Sequence, residues 1–369
     1  MVLEKATLIP DDKFSVYPKS QHLAEAHFMR AFFYFYLCRI WGDVPLQLRA
    51  TNQEPLPRTK MEDVLKQAIE DCQKAISNLP WRYQQEEAQV RAIKATRGAA
   101  YTLLTEIHMW QQNYEDALIA SKAVIDSLDY SGYRLMPMNT STESDIIFKG
   151  RTEEGIFEID LSTEHKELTK TNLANITLCW PPYVKRQDYF KTVYMPIDTL
   201  KNLFPDDVVD LRKTLWFDLT NVYDKDIMPM LLKFKNKSPE STSTTSYYED
   251  NIIVFRLASL YLLRAEALAH TGTDRTEAIR LLNEIRTRAK APLYNPAEGD
   301  LETAIITERR KELVGEGHVW YDMLRNKRIL LYKGDMYNES VLRDGAWTWP
   351  VNQNSFNTNP LLNQTTFWL

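Results

Sequence analysis

The segment Trp180-Pro181-Pro182-Tyr183-Val184-Lys185-Arg186-Gln187-Asp188-Tyr189 puts flat aromatic rings and hydrogen-bonding side chains together on a proline-stiffened loop. That pairing suits sugar recognition. The apolar face of a sugar ring lies on an aromatic ring, and its hydroxyls regain the hydrogen bonds they gave to water from Asn, Gln, Asp or Arg at the edge. Trp180, Tyr183 and Tyr189 are therefore candidate ligand-binding residues, and Trp216 and the Tyr247-Tyr248 pair are further candidates nearby in the chain. Trp81 and Tyr83 sit beside a predicted helix end and rank behind them. Each of these rings can equally fold back onto the helices, as most aromatics do.

Two carboxylate groups invite a catalytic reading. Glu316-Gly317-His318 with Asp322 has the residue types of an acid/base or metal site. The segment reads instead as an amphipathic helix in which Arg309, Arg310 and Arg325 pair the carboxylates, which makes it structural. Asp206-Asp207 and Asp210, followed by Arg212, resemble the paired acids of a glycosidase, but neighbours in a loop after Pro205 do not flank a sugar. The sequence contains no HExxH, no GxSxG, no P-loop and no GxGxxG. No catalytic residue, metal ligand or cofactor site is expected, and the expected activity is binding.

The bulk properties narrow the partners. The chain has 369 residues, 44% of them hydrophobic and 26% charged, with nine Trp, nineteen Tyr and fourteen Phe in the ordinary composition of a globular protein. A net charge of −5, without a Lys/Arg-rich run, argues against nucleic-acid binding. No stretch of eighteen apolar residues is present to span a membrane. Cys38, Cys72 and Cys179 fall in no metal-binding spacing, and their odd number prevents complete internal pairing.

The elements that would position these residues are mostly helical. From Phe28 to Leu37 every residue but Arg30 is apolar or aromatic, which predicts a buried central helix from about Ser20, its N-cap, to about Trp41, ended by Gly42 and Pro45. Glu25 and Arg30, near that apolar run, need partners. A second helix opens on a Thr59/Glu62 capping box, repeats Val64, Leu65, Ala68, Ile69, Cys72, Ala75, Ile76 and Leu79 on one face, and stops at Pro80. A third begins near Ala92 and turns at Gln112-Asn113 into a fourth led by Tyr114 and Ala117, like a tetratricopeptide hairpin. Leu257 to His270 and Ala278 to Ala289, joined at Thr271-Gly272-Thr273, repeat the layout. Between them, Ile146-Ile147-Phe148 and Gly155 to Asp160 read as strands, Leu200 to Phe204 as a short helix, and Ser238 to Ser246 as a loop tip.

Four ordered stretches carry a resemblance. Ala24-Glu25-Ala26-His27-Phe28-Met29-Arg30-Ala31-Phe32 with Tyr34-Phe35-Tyr36-Leu37 and Trp41-Gly42-Asp43-Val44-Pro45-Leu46 resembles the hallmark helix of the SusD/RagB-like family of outer-membrane nutrient-binding lipoproteins. Phe255 to Leu268 with Asn283 to Ala289, Glu308 to Arg325, and the tail from Trp349 through Asn363-Gln364 are similar to its later signatures. Gly315 and Val319 depart from the residues usual in the family.

The resemblance implies a mainly α fold of tetratricopeptide-like hairpins around a buried helix, with a large irregular insertion containing short strands. It implies one SusD/RagB-like domain over 1–369, with a helical scaffold at 20–128 and 251–328. Residues 129–250 would then form a loop-rich insertion bearing the ligand surface, and 329–369 a tail packed on the scaffold. It further implies surface capture of oligosaccharides, or of peptides, and hand-over to a SusC-like TonB-dependent transporter at the outer membrane. The lipid anchor and a preceding segment would lie outside this sequence. From pattern alone, a cytoplasmic tetratricopeptide-type adaptor for protein partners is the alternative, and a glycoside hydrolase a distant third.

Overall fold

The computed structural model describes residues 2–50, 54–83, 90–161, 195–219, 229–236 and 249–369. The longer elements, in chain order, are α1 (Lys19–Trp41), α2 (Met61–Asn78), α3 (Arg97–Trp110), α4 (Tyr114–Ile125), α5 (Ser141–Lys149) and β1 (Gly155–Ile159). There follow α6 (Ile197–Leu203), α7 (Leu211–Trp216), β2 (Phe217–Asp218), β3 (Met230–Leu231), β4 (Ile252–Arg256), α8 (Leu257–Thr271), α9 (Arg275–Arg288), α10 (Leu301–Glu312) and α11 (Val319–Arg325). The chain divides into two compact units. The first comprises Met1–Trp81, Ala95–Val124 and Trp320–Leu369, and the second Arg82–Lys94 and Ile125–Val319.

In the first unit α1 packs against α2 and α3, burying Phe28, Phe32, Phe35 and Cys38. The helix is not enclosed all round, because Phe33 is 55% exposed. Its N-terminus corrects one expectation: Ser20 lies in the first turn, and the flanking residue is Pro18, whose carbonyl accepts the amides of Gln21 and His22. Gly42 ends the helix as expected, at φ +72°, with its amide on the Cys38 carbonyl. Arg30 finds its partner in α2, where both oxygens of the fully buried Asp71 accept from it, at 2.6 and 2.8 Å.

The Thr59/Glu62 capping box does not form. Thr59 bridges Val44 through both backbone groups, and Asp43 accepts the Met61 amide instead. The third helix starts at Arg97, later than Ala92, because Thr96 provides the cap by accepting the Ala99 amide. Gln112 and Asn113 then turn the chain into α4 as expected. The C-terminal tail is tied to this unit by the Trp349 amide on Ile40 and by Arg58, which donates to the carbonyls of Trp41, Asp43 and Asn363.

In the second unit β1 and β4 pair antiparallel from Gly155↔Arg256 to Ile159↔Ile252, and β4 runs directly into α8. The α8–α9 hairpin and α10 pack beside them. Gly155–Ile159 is a strand and Ile197–Leu203 a helix, as expected. Ile146-Ile147-Phe148 is not a strand but part of α5, whose start is fixed by Thr140 accepting the Glu143 amide and by Glu143 reaching back to the Asn139 amide. Nor is Glu316-Gly317-His318 helical. Gly315 and Gly317 sit at φ +80° and +82°, in the left-handed region that glycine tolerates, and turn the chain between α10 and α11.

Candidate functional site

Five of the six candidate ligand residues, Trp180, Tyr183, Tyr189, Tyr247 and Tyr248, lie outside the described residues. Trp216 is described, and its role changes. It is 1% exposed at the end of α7, its indole N–H donates to Ser144 Oγ at 2.9 Å, and Lys233 Nζ stands 3.8 Å from its ring. It packs edge-on against Phe148 in a cluster with Phe204, Phe217 and Phe234. A ring enclosed on both sides offers no face to a sugar. Trp216 is an anchor for the region and not a platform.

The same cluster holds β2 and β3, and a separate pairing joins the described residues on either side of Tyr247 and Tyr248. β2 pairs with β3 through Phe217↔Leu231 and Asp218↔Met230, closing the two ends of residues 220–228. Asn236 and Asp250 flank residues 237–248 and are joined directly: the Asn236 amide donates to Asp250 Oδ2 at 3.1 Å, and its side chain donates to Oδ1. The Asn236 carbonyl accepts the Glu249 amide. Burial pushes the Asp250 carboxyl up to about 8. The lesser candidates are both engaged: Trp81 stacks on Tyr101, with centroids 5.7 Å apart, and Tyr83 is 6% exposed with Lys94 over its ring.

The carboxylates that invited a catalytic reading prove to be parts of ion pairs. Glu316 is held by Arg256 and Lys233, each at 2.7 Å, and not by Arg309 or Arg310. Burial would raise its carboxyl, but the attraction of Arg256 and Lys233 outweighs that and holds it down at about 2. Asp322 pairs with Arg325 at 2.7 Å, as expected. Asp210 caps α7 and clasps Arg212, while the exposed Asp206 pairs with Lys213. A general acid needs a carboxyl that keeps its proton near neutral pH, and Glu316 is held in the ionised form by its two buried cations.

Glu316 belongs to a larger buried network that the sequence did not reveal. Arg256 bonds Glu154 at 2.9 Å and Glu312 at 2.7 Å, Arg288 bonds the same two carboxylates, and Arg212 bonds Glu312 and Glu308. Arg286 joins Glu308 at 2.8 Å. Every carboxylate here is satisfied by protein cations. The network ties β4, α7, α9 and α10 together and leaves no charge free for a ligand. Among the described residues no group of His, Cys, Asp or Glu is arranged to hold a metal ion. Cys38 and Cys72 are buried free thiols, the first pushed up to about 12 by burial, so neither is a ready nucleophile.

Glu158, like Asp250, is a buried carboxyl outside this network. It is 1% exposed, its Oε2 accepts from Asn251 and from the Arg151 amide, both at 2.8 Å, and its Oε1 has no hydrogen-bond partner. Burial pushes this carboxyl from 4.5 up to about 7. The folded state therefore keeps a proton that the unfolded chain releases above about 4.5. Its contribution is full below that pH and is lost as pH rises through about 7. Glu158→Gln is expected to flatten this loss, gaining at most about 3 kcal/mol on wild type between pH 5 and 8. Urea unfolding at several pH values checks it, and parallel pH profiles would refute the assignment.

Comparison with known proteins agrees with the fold. The family described as the SusD family matches residues 220–368, and one described as starch-binding and associating with the outer membrane matches residues 1–109. A solved SusD homologue from Bacteroides thetaiotaomicron superposes with a TM-score of 0.80 at 31% identity, over 95% of this chain and 77% of that one. A SusD-like protein of Formosa agariphila is 27% identical over 99% of this chain and 76% of its own length, and a second one there is covered for 63% of its length. The starch-binding protein SusD of Bacteroides thetaiotaomicron is 29% identical over 142 residues, 36% of this chain and 25% of its own. With its hallmark helix, its helical hairpins and this likeness over nearly its whole length, the chain belongs to the SusD family.

Proposed function

We propose that this protein is a non-catalytic, surface-exposed glycan-binding protein of the outer membrane, which captures oligosaccharides and passes them to a SusC-like, TonB-dependent transporter. A lipid anchor would hold it there. The observation that carries this reading is the match of residues 1–109 to a family described as starch-binding and associating with the outer membrane. Likeness to the starch-binding SusD protein supports it.

On this reading Trp180, Tyr183, Tyr189, Tyr247 and Tyr248 supply the stacking faces, and the Asn236–Asp250 pairing joins the described residues on either side of Tyr247 and Tyr248. Capture that must end in release suits several weak stacking contacts better than one deep pocket. Trp180→Ala is expected to weaken binding by about 1–3 kcal/mol, the worth of one aromatic stacking partner in a nucleic-acid groove taken as a guide. Intrinsic tryptophan fluorescence titrated with an oligosaccharide panel measures this. Saturable quenching that survives Trp180→Ala unchanged would remove Trp180 from the site.

A further inference from the structure

A groove of about 440 Å³ opens in the first unit where the end of α3 meets the segments around Leu324–Leu330 and Leu342–Trp347. That volume suits a small molecule and not a protein surface. Its walls are Trp110, Trp347 and aliphatic side chains that include Leu324, Leu330 and Leu342. The two indoles meet edge to face, 5.8 Å apart, and Trp110 meets Tyr321 the same way at 6.1 Å. Tyr321 in turn lies 4.3 Å from the buried guanidinium of Arg39. The aromatic wall is thus braced from behind, which lowers the cost of ordering it around a ligand.

The charges at the groove are unusual because they are unspent. Lys327, Arg343 and Glu339 line it, and none of these side chains has an ion pair or hydrogen bond among the described residues. Glu339 and Arg343 stand four residues apart on one short helix and still do not pair. Lys327 is held at φ +54°, a conformation uncommon for a residue with a side chain. Arg325, also in the lining, is already neutralised by Asp322 at 2.7 Å. The free charges therefore sum to an excess of one positive, which favours an anion over a neutral or cationic ligand.

The walls decide the rest of the ligand. A sugar placed here would press hydroxyls against leucine side chains that cannot bond them, a cost that an apolar body avoids. We propose that this groove binds a small amphipathic carboxylate, with an aromatic or aliphatic body against Trp110 and Trp347 and its anion facing Lys327 and Arg343. This proposal does not depend on the glycan-binding reading above.

Isothermal titration of the whole chain with 4-phenylbutyrate, its neutral amide and 4-phenylbutylamine tests this. The carboxylate is expected to bind about ten-fold tighter than the amide, and the amine more weakly still. The double variant Lys327→Gln/Arg343→Gln should erase the carboxylate's advantage while leaving the amide's affinity and the melting temperature unchanged, since neither side chain has a partner to lose among the described residues. Equal binding of carboxylate and amide, a preference for the amine, or no binding of any of the three would overturn the proposal.

Discussion

Glu312→Gln is expected to destabilise the protein by about 3–5 kcal/mol, the cost of leaving buried charges without their counter-ion. Oε1 of this residue accepts from Arg256 at 2.7 Å and from Arg288, and Oε2 accepts from Arg212 at 3.0 Å. Its carbonyl takes Lys233 and Arg256 as well, so a single residue at the end of α10 is the meeting point of four cations. Its side chain has no exposure. Burial would push the carboxyl up, but the attraction of Arg288, Arg256 and Arg212 outweighs it and holds the group well below the usual range. Glutamine keeps the volume and one acceptor while removing the charge, which separates electrostatics from packing. Urea unfolding followed by circular dichroism measures the loss. A change below about 0.5 kcal/mol, the usual range for surface positions, would mean that the arginines find other partners or water.

Phe35→Ala should cost a similar amount for a different reason. Phe35 is fully buried in α1, packs edge-on against Tyr36 at 6.2 Å, and forms one wall of the cage around Arg39, whose guanidinium lies 4.3 Å from Phe35, Tyr36 and Tyr321 alike. Truncation leaves a cavity worth about 3–5 kcal/mol and strips one cation–π partner from a buried Arg39. Phe33→Ala, two positions earlier on the 55% exposed side, is the control and should change stability by less than about 0.5 kcal/mol. Equal losses from the two variants would show that α1 is buried on both faces.

These two variants also mark how far the sequence could be read. Phe35 was legible because the apolar run from Phe28 to Leu37 leaves no polar face for solvent. The helical hairpins were legible for the same reason, together with their turns at Gln112-Asn113 and Gly272. Glu312 was not. Its partners Arg212, Lys233, Arg256 and Arg288 come from distant parts of the chain, and no local spacing announces that they converge.

The local misreadings have local causes. Ile146-Ile147-Phe148 has the composition of a strand, but Thr140 and Glu143 form a helix-start signal that decides the matter. Thr59 and Glu62 carry the opposite lesson. The spacing of a capping box is there, but pairing with Val44 uses the backbone of Thr59 and Asp43 takes over as acceptor. Gly315 and Gly317 were the available clue that Glu316 sits in a turn. An added Cβ at Gly315 would lie 2.3 Å from Leu231 Cδ2, which accounts for glycine at this departure from the family pattern. As for the site, Trp216 shows why an aromatic residue in an insertion is ambiguous from sequence: its ring serves the core with no change in local pattern.

The most direct test of the central claim is isothermal titration of the purified protein with two matched panels, one of oligosaccharides and one of oligopeptides. Saturable binding to one class of glycan, with no heat from any peptide, is the predicted result. Saturable binding to peptides with silence across the glycans would contradict it, and would make the protein a peptide-capturing member of the same family.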